Sequence, residues 1–294
     1  MNNSILITGA NGQLGRCLRD ILQDRDDICC YYTDVDTLDI CQEAQVEAFV
    51  TGHAIGTIIN AAAYTAVDKA EQDMENAFRI NCEAVGNLAN VAKRHHAFMV
   101  HISTDYVYDG CTYRPYTEED RPHPISVYGS SKLAGEEALR QSGCRGIIIR
   151  TEWLYSEYGH NFVKTMLKVG SEKERIGVVY DQIGAPTYAG DLAKTIIQIL
   201  DTKPKAEGVE LFLYANEGSI SWFELAKTIM EEAGLRCTTN AILTSEYPTA
   251  AQRPSYSLFN LSKIKNRFGI EIPYWKNSLS LVINKLKNIS KKMA

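Results

Sequence analysis

Short apolar and β-branched runs recur along the first half of the chain, at residues 5–8, 28–32, 57–60, 98–103 and 147–150. Runs of this length without polar alternation predict strands covered on both faces. Between them, residues 14–23, 41–49, 74–95 and 130–141 place apolar side chains three and four positions apart, the spacing of amphipathic helices. Strand and helix therefore alternate, which predicts βαβ units with right-handed crossovers and a doubly wound parallel sheet of the α/β class. After residue 150 the pattern loosens. Helices are expected at 161–169 and 191–200, strands at 176–179 and 210–216, and a helix capped by Ser221 running through Ala233. Residues 113–124 read as one long surface loop. Lys285, Lys287, Lys291 and Lys292 are expected to close a C-terminal helix as a solvated end, where cations complement the helix dipole.

A chain of 294 residues holds two domains or one large one. We expect residues 1–150 to form a dinucleotide-binding domain to which 172–215 return, with 151–171 and 216–294 forming a smaller substrate-binding region. Lys and Arg total 31 against 36 Asp and Glu, a net charge of −5 that offers nucleic acid no basic footprint. No apolar run reaches the roughly 18 residues of a membrane helix. The N-terminal residues lack a basic, then apolar, leader, so a cytoplasmic protein with no membrane partner is expected. The eight cysteines are scattered without a C-x-x-C pair and read as buried thiols. The six histidines show no ligand spacing, so no metal is expected.

Gly9-Ala10-Asn11-Gly12-Gln13-Leu14-Gly15 falls between the first strand and the first helix, where a glycine-rich turn presents helix N-terminal amides to a pyrophosphate. Gly9 permits the turn, Gly12 lets the backbone approach the phosphates, and Gly15 lets helix and strand pack closely. This is a Rossmann-like arrangement with G-x-x-G-x-x-G spacing. Asp34 follows the second strand, about where a carboxylate meets the adenosine ribose hydroxyls. That leans toward NADH, but dual use of NADH and NADPH stays open. Tyr128 and Lys132 lie four residues apart at the start of a predicted helix and so project from one face. A nearby ammonium favours the phenolate, so Lys132 is expected to lower the Tyr128 pKa and make it a proton donor near neutral pH. Ser103-Thr104-Asp105 closes a strand upstream and offers hydroxyls at the carboxyl edge of the sheet.

The glycine loop, Asn60 to Ala63, Asn81, Ser103 to Asp105, and Tyr128 with Lys132 together resemble an extended short-chain dehydrogenase/reductase. Residues 61–71, 103–110 and 181–187, with Arg253-Pro254, narrow the resemblance to the dTDP-4-dehydrorhamnose reductase family over nearly the whole chain. The resemblance implies NADPH- or NADH-dependent reduction of the C4 ketone of dTDP-4-dehydro-L-rhamnose. It implies that Gly12, Gln13, Leu14, Asp34, Asp39, Ile40, Ala63, Tyr64 and Thr65 line the cofactor, and that Thr104, Tyr128 and Lys132 perform the chemistry. Asp105, Tyr106 and Trp153 would fix the sugar, Arg253 would meet the diphosphate, and a homodimer is allowed. The chain departs from the family pattern at Glu152, where a small residue is usual, and at Tyr108, where phenylalanine is commoner. A nucleotide-sugar epimerase with tightly held NAD and a non-catalytic regulatory subunit are the rival readings.

Overall fold

The computed structural model describes residues 3–204 and 207–293. The first half runs β1 (Ser4–Thr8), α1 (Gln13–Leu22), β2 (Cys29–Thr33), α2 (Glu43–Gly52), β3 (Thr57–Asn60), α3 (Val67–Ala70), α4 (Met74–Phe78), α5 (Ala84–Arg94), β4 (Phe98–Thr104), α6 (Val127–Gln141) and β5 (Arg145–Thr151). The second half runs β6 (Leu154–Tyr155), α7 (Phe162–Glu172), β7 (Arg175–Val179), β8 (Ile183–Gly184), β9 (Thr187–Tyr188), α8 (Ala189–Asp201), β10 (Val209–Tyr214), β11 (Ile220–Ser221), α9 (Trp222–Ala233), β12 (Thr238–Ile242), α10 (Ser262–Phe268) and α11 (Trp275–Met293).

Six strands form a parallel sheet in the order β10-β5-β4-β3-β1-β2. Their continuous apolar runs divide between two cores. Ile5 and Ile7 of β1 face one cluster with Leu18 of α1 and Ile196 of α8, while Leu6 faces another with Val46 of α2 and Leu88 of α5. Ile147, Ile148 and Ile149 of β5 divide in the same way. Strand order reverses at β1, so the loops leaving β1, β3 and β4 open on one crevice at the carboxyl edge, the place where such sheets bind ligands. Register holds those ends level, with Thr8 opposite both Thr33 and Asn60.

Five sequence expectations need correction. The cysteines are not all buried thiols: Cys17, Cys144 and Cys237 are buried, but Cys29 and Cys111 are exposed. The helix expected over 74–95 is two helices joined by a π turn at Arg79–Glu83. The extra residue in that turn brings the Asn81 carbonyl against Gly135 of α6, where no Cβ would fit. Residues 176–179 do form strand β7, but it pairs with β12 outside the main sheet. Within 113–124, Tyr116 is buried, stacks on Tyr108 and donates its N–H to Leu258 O. Lys285 is no solvated end, since its Nζ donates to Glu157 Oε1 and Tyr188 Oη. Lys287 donates to Glu232 O, and the Lys291 and Lys292 side chains lie outside the described residues. Among the described residues no helix is long and apolar enough to cross a membrane.

Candidate active site

The loop leaving β1 has the shape its glycines suggest. Gly9 sits at φ +64°, and a Cβ there would lie 2.6 Å from Ala62 N. A Cβ on Gly15 would lie 2.5 Å from Ala10 Cα, so the helix could not pack as close. Gly12 differs, because a Cβ there would meet only Gly9 O, at 3.2 Å. Packing at Gly12 is thus less demanding than at Gly9 or Gly15, since a Cβ would press on a single carbonyl oxygen; a bare backbone there keeps space open in front of the loop. Helix α1 begins without a side-chain cap, leaving first-turn amides available to an anion. Uncapped amides beside that space fit a pyrophosphate. Asp34, just past β2, accepts the Asn11 N–H at 3.0 Å through Oδ2 and so borders the loop. Gln13 is tied to the second half, accepting from Ser156 Oγ and Asn161 Nδ2 and donating to Leu154 O.

Further along the crevice, Asn60 at the end of β3 accepts from Thr8 Oγ1 at 2.7 Å and pairs with His101 through Nδ2. The following Ala63, Tyr64 and Thr65 are held by Asn81, which accepts the Tyr64 N–H and donates to Tyr64 O and Ser131 Oγ. Ser131 in turn donates to Tyr128 O. The π turn thus links the Ala63 to Thr65 segment to the helix that carries Tyr128, a placement typical of π turns at functional sites. Asp39 accepts the Cys41 N–H, and Ile40 is buried with its carbonyl accepting from Asn87.

Thr104 ends β4, and Ser126 caps α6 so that Tyr128 and Lys132 emerge on one face beside it. The Thr104 hydroxyl lies near enough to the Tyr128 phenol to act on its ionisation. The expected tuning by Lys132 is not found. Burial pushes Tyr128 up to about 12, against a downward pull from Thr104. The Lys132 Nζ instead donates to Ile102 O at 2.6 Å. Burial lowers Lys132 itself from 10.5 to about 8, while Glu136 acts the other way. One turn along α6, Glu136 makes a fully buried pair with Arg150 at 2.7 Å and accepts from Ser103 Oγ. The Tyr108 hydroxyl accepts from Arg150 Nη1 at 2.7 Å, which gives a physical use for tyrosine where phenylalanine was expected.

Asp105 is buried and accepts from Thr104 Oγ1, and Tyr106 packs edge-on to the Tyr128 ring. Trp153 adopts φ +45° and stacks on Trp222 with centroids 3.6 Å apart, and Phe162 packs against Trp222. Arg253 makes a two-pronged pair with Asp68 of α3 and lies where it acts on Tyr106. Sequence reasoning missed the Glu136–Arg150 pair, Asp68 and Trp222. Only Glu136 left a local signal, lying four residues beyond Lys132. Among the described residues no group of three His, Cys, Asp or Glu side chains could hold a metal ion.

The chain matches the family described as "RmlD substrate binding domain" over residues 2–288. It is 42% identical to a dTDP-4-dehydrorhamnose reductase of Aggregatibacter actinomycetemcomitans, covering 94% of this chain and 96% of the relative. The structure of a dTDP-4-dehydrorhamnose reductase from Clostridium acetobutylicum superposes with a TM-score of 0.92 at 38% identity, covering 97% of this chain and 99% of that one. That of the Bacillus anthracis enzyme, in complex with NADP, gives 0.92 at 38%, covering 97% and 100%. With the glycine loop, Thr104, Tyr128 and Lys132 in one crevice, the chain belongs to the RmlD substrate binding domain family, that of the dTDP-4-dehydrorhamnose reductases.

Proposed function

We propose that the protein reduces the C4 ketone of dTDP-4-dehydro-L-rhamnose to give dTDP-L-rhamnose, with a nicotinamide dinucleotide as reductant. The observation that carries the reading is Thr104, Tyr128 and Lys132 at the carboxyl edge of the sheet, beside a glycine loop shaped for a pyrophosphate. Gly9, Gly12, Gln13, Leu14 and Gly15 cradle the phosphates, and Asp34 meets the adenosine ribose. Asp39, Ile40 and Ala63 to Thr65 line the remainder of the cofactor groove. When bound, the nicotinamide supplies the hydride that adds to C4. Tyr128 protonates the oxygen as negative charge develops on it. Thr104 hydrogen-bonds the same oxygen and holds the carbonyl in place. Lys132 hydrogen-bonds the nicotinamide ribose and places positive charge near the phenolate left on Tyr128. Trp153 and Tyr106 enclose the sugar, and Arg253 exchanges Asp68 for the diphosphate, a partner suited to its planar fork.

The division into a dinucleotide-binding part, 1–150 with 172–215, and a substrate-binding part, 151–171 with 216–294, is supported for α8 and β10 by α8 against α1 and β10 at the sheet edge, whereas β7 and β8 pair with β12 and β11 of the substrate-binding part. A cytoplasmic location is supported by eight free thiols. The reading is tested with a panel of nucleotide 4-ketosugars, each supplied with NADH or NADPH and followed by nicotinamide absorbance. Oxidation of added cofactor with the 4-keto-rhamnosyl nucleotide, and much slower oxidation with the others, supports it. Turnover of nucleotide sugar without added reductant, by protein that keeps its cofactor through purification, refutes it in favour of an epimerase.

A further inference from the structure

Thr104 has one proton and two lone pairs to distribute. Its Oγ1 donates to Asp105 Oδ1 at 2.9 Å and accepts the Tyr106 N–H at 3.3 Å. It also lies close enough to the Tyr128 phenol to pull that pKa down. With its proton committed to Asp105, the hydroxyl has none to give the oxygen of a ketone. The arrangement reverses once Asp105 is a carboxylic acid. Its O–H then donates to Thr104 Oγ1, and the Thr104 proton is free to point at the reacting oxygen.

The surroundings of Asp105 favour that proton. The residue is 3% exposed, and among the described residues no cation pairs with it or with Glu152. The groups around it are Tyr106 beside it, Tyr128 from α6, Ser257 from the segment before α10, and Glu152 just past β5. Arg253 and Asp68 act on Tyr106, and Lys132 is occupied with Ile102 O. Glu152 is a second carboxyl, 1% exposed, whose Oε2 accepts from Ser257 Oγ at 2.5 Å. Ser257 also acts on Asp105, favouring its charged form against burial. Gly184 allows this enclosure to close, since a Cβ there would stand 2.5 Å from Glu152 Oε2 and 2.7 Å from Ser257 Oγ. Two neighbouring buried carboxyls without a cation cannot both ionise except at large desolvation cost. Burial accordingly pushes Asp105 up to about 7 and Glu152 well above the usual carboxylate range, with the Asp105 charge adding to the rise at Glu152.

We propose that Asp105 is a positioning residue that works as a neutral carboxylic acid, turning the Thr104 hydroxyl to donate to the reacting carbonyl oxygen, inside an enclosure completed by Ser257 and Glu152. Asp105 keeps its proton throughout, so no net transfer occurs at this residue. The proposal rests on the reductase reading only for the identity of that oxygen.

Its first test needs no turnover. In protein labelled with carbon-13 at the aspartate carboxyls, one resonance should titrate near pH 7 and be missing from Asp105→Asn. Completion of every aspartate titration below pH 6 overturns the proposal. The second test is the pH profile of kcat. The wild-type rate should fall about tenfold per pH unit above a midpoint near 7. In Asp105→Asn, whose amide donates to Thr104 at every pH, that midpoint should vanish and leave only the limbs of Lys132 and Tyr128. A midpoint near 7 that survives in Asp105→Asn also overturns it. Should that variant not fold, Thr104→Val removes the hydrogen-bond partner of Asp105 and must move the aspartate midpoint upward; an unmoved midpoint is a refutation. Absence of ketosugar reduction would refute the reductase reading alone, because the carboxyl titration decides the state of Asp105 independently.

Discussion

Lys132→Met should exchange activity for stability in a way that pH exposes. The Lys132 side chain is 2% exposed, and its folded-state pKa falls from 10.5 to about 8 through desolvation. At about 1.4 kcal/mol per pH decade, that gap is a penalty of roughly 3 kcal/mol on the folded ammonium. The folded value lies below the unfolded one, so the unfolded chain binds more protons between the two. The wild type therefore bears the whole penalty at pH 7 and sheds it as pH rises from about 8 toward 10.5. Methionine fits the same apolar channel without a charge, but leaves Ile102 O without its donor, a pH-independent loss of about 1 to 3 kcal/mol. The variant should thus be as stable as wild type at pH 7, or up to about 2 kcal/mol more stable. Between pH 7 and 10 the wild type should gain about 2.5 kcal/mol on it. Urea unfolding of both proteins at several pH values measures this, and other titrating groups cancel in the difference. A stability gap constant to within about 0.5 kcal/mol across that range would show that Lys132 is not a desolvated ammonium. Its loss should also lower both turnover and cofactor affinity, and unchanged cofactor affinity would remove the ribose role.

Tyr128→Phe keeps the ring packed against Tyr106 and should lose about 10²- to 10⁴-fold in kcat, with cofactor titration unchanged; near wild-type turnover would sink the proton-donor assignment. Gly12→Val should lose cofactor binding in a fluorescence titration while losing less stability than Gly9→Ala, whose φ of +64° and backbone clash should lower the unfolding midpoint further. Arg253→Ala should raise KM for the nucleotide sugar on the order of 10- to 150-fold with kcat little changed, the signature of lost uniform binding to a charged group. An unaltered KM there would leave Arg253 as a partner of Asp68 alone.

The parts of the site visible in sequence are those whose partners are local. The glycine loop spans seven residues between one strand and one helix, and Tyr128 and Lys132 share a helix face by spacing alone. What escaped notice depends on distant contacts. Glu136 meets Arg150 only because α6 packs over β4 and β5, and Ser257 reaches Glu152 across 105 positions. Trp222 looked like an ordinary helix start after Ser221, and nothing local told that it stacks on Trp153. The misjudged Tyr128 pKa has a related cause. Helical spacing predicts that two side chains lie near each other, but not that both are buried, and here desolvation outweighs any mutual attraction. The break in the helix expected over 74–95 was equally hidden, because the π turn preserves the apolar periodicity on either side of Asn81.

The proposed reaction delivers hydride directly to C4 within a crevice where Tyr128 supplies the proton. The most direct measurement uses reduced cofactor carrying deuterium at the transferred position of the nicotinamide, with dTDP-4-dehydro-L-rhamnose, and mass and NMR analysis of the product. One deuterium per product molecule, located at C4, is expected, with one equivalent of cofactor oxidised for each. Product without deuterium, or sugar conversion without cofactor oxidation, would contradict it.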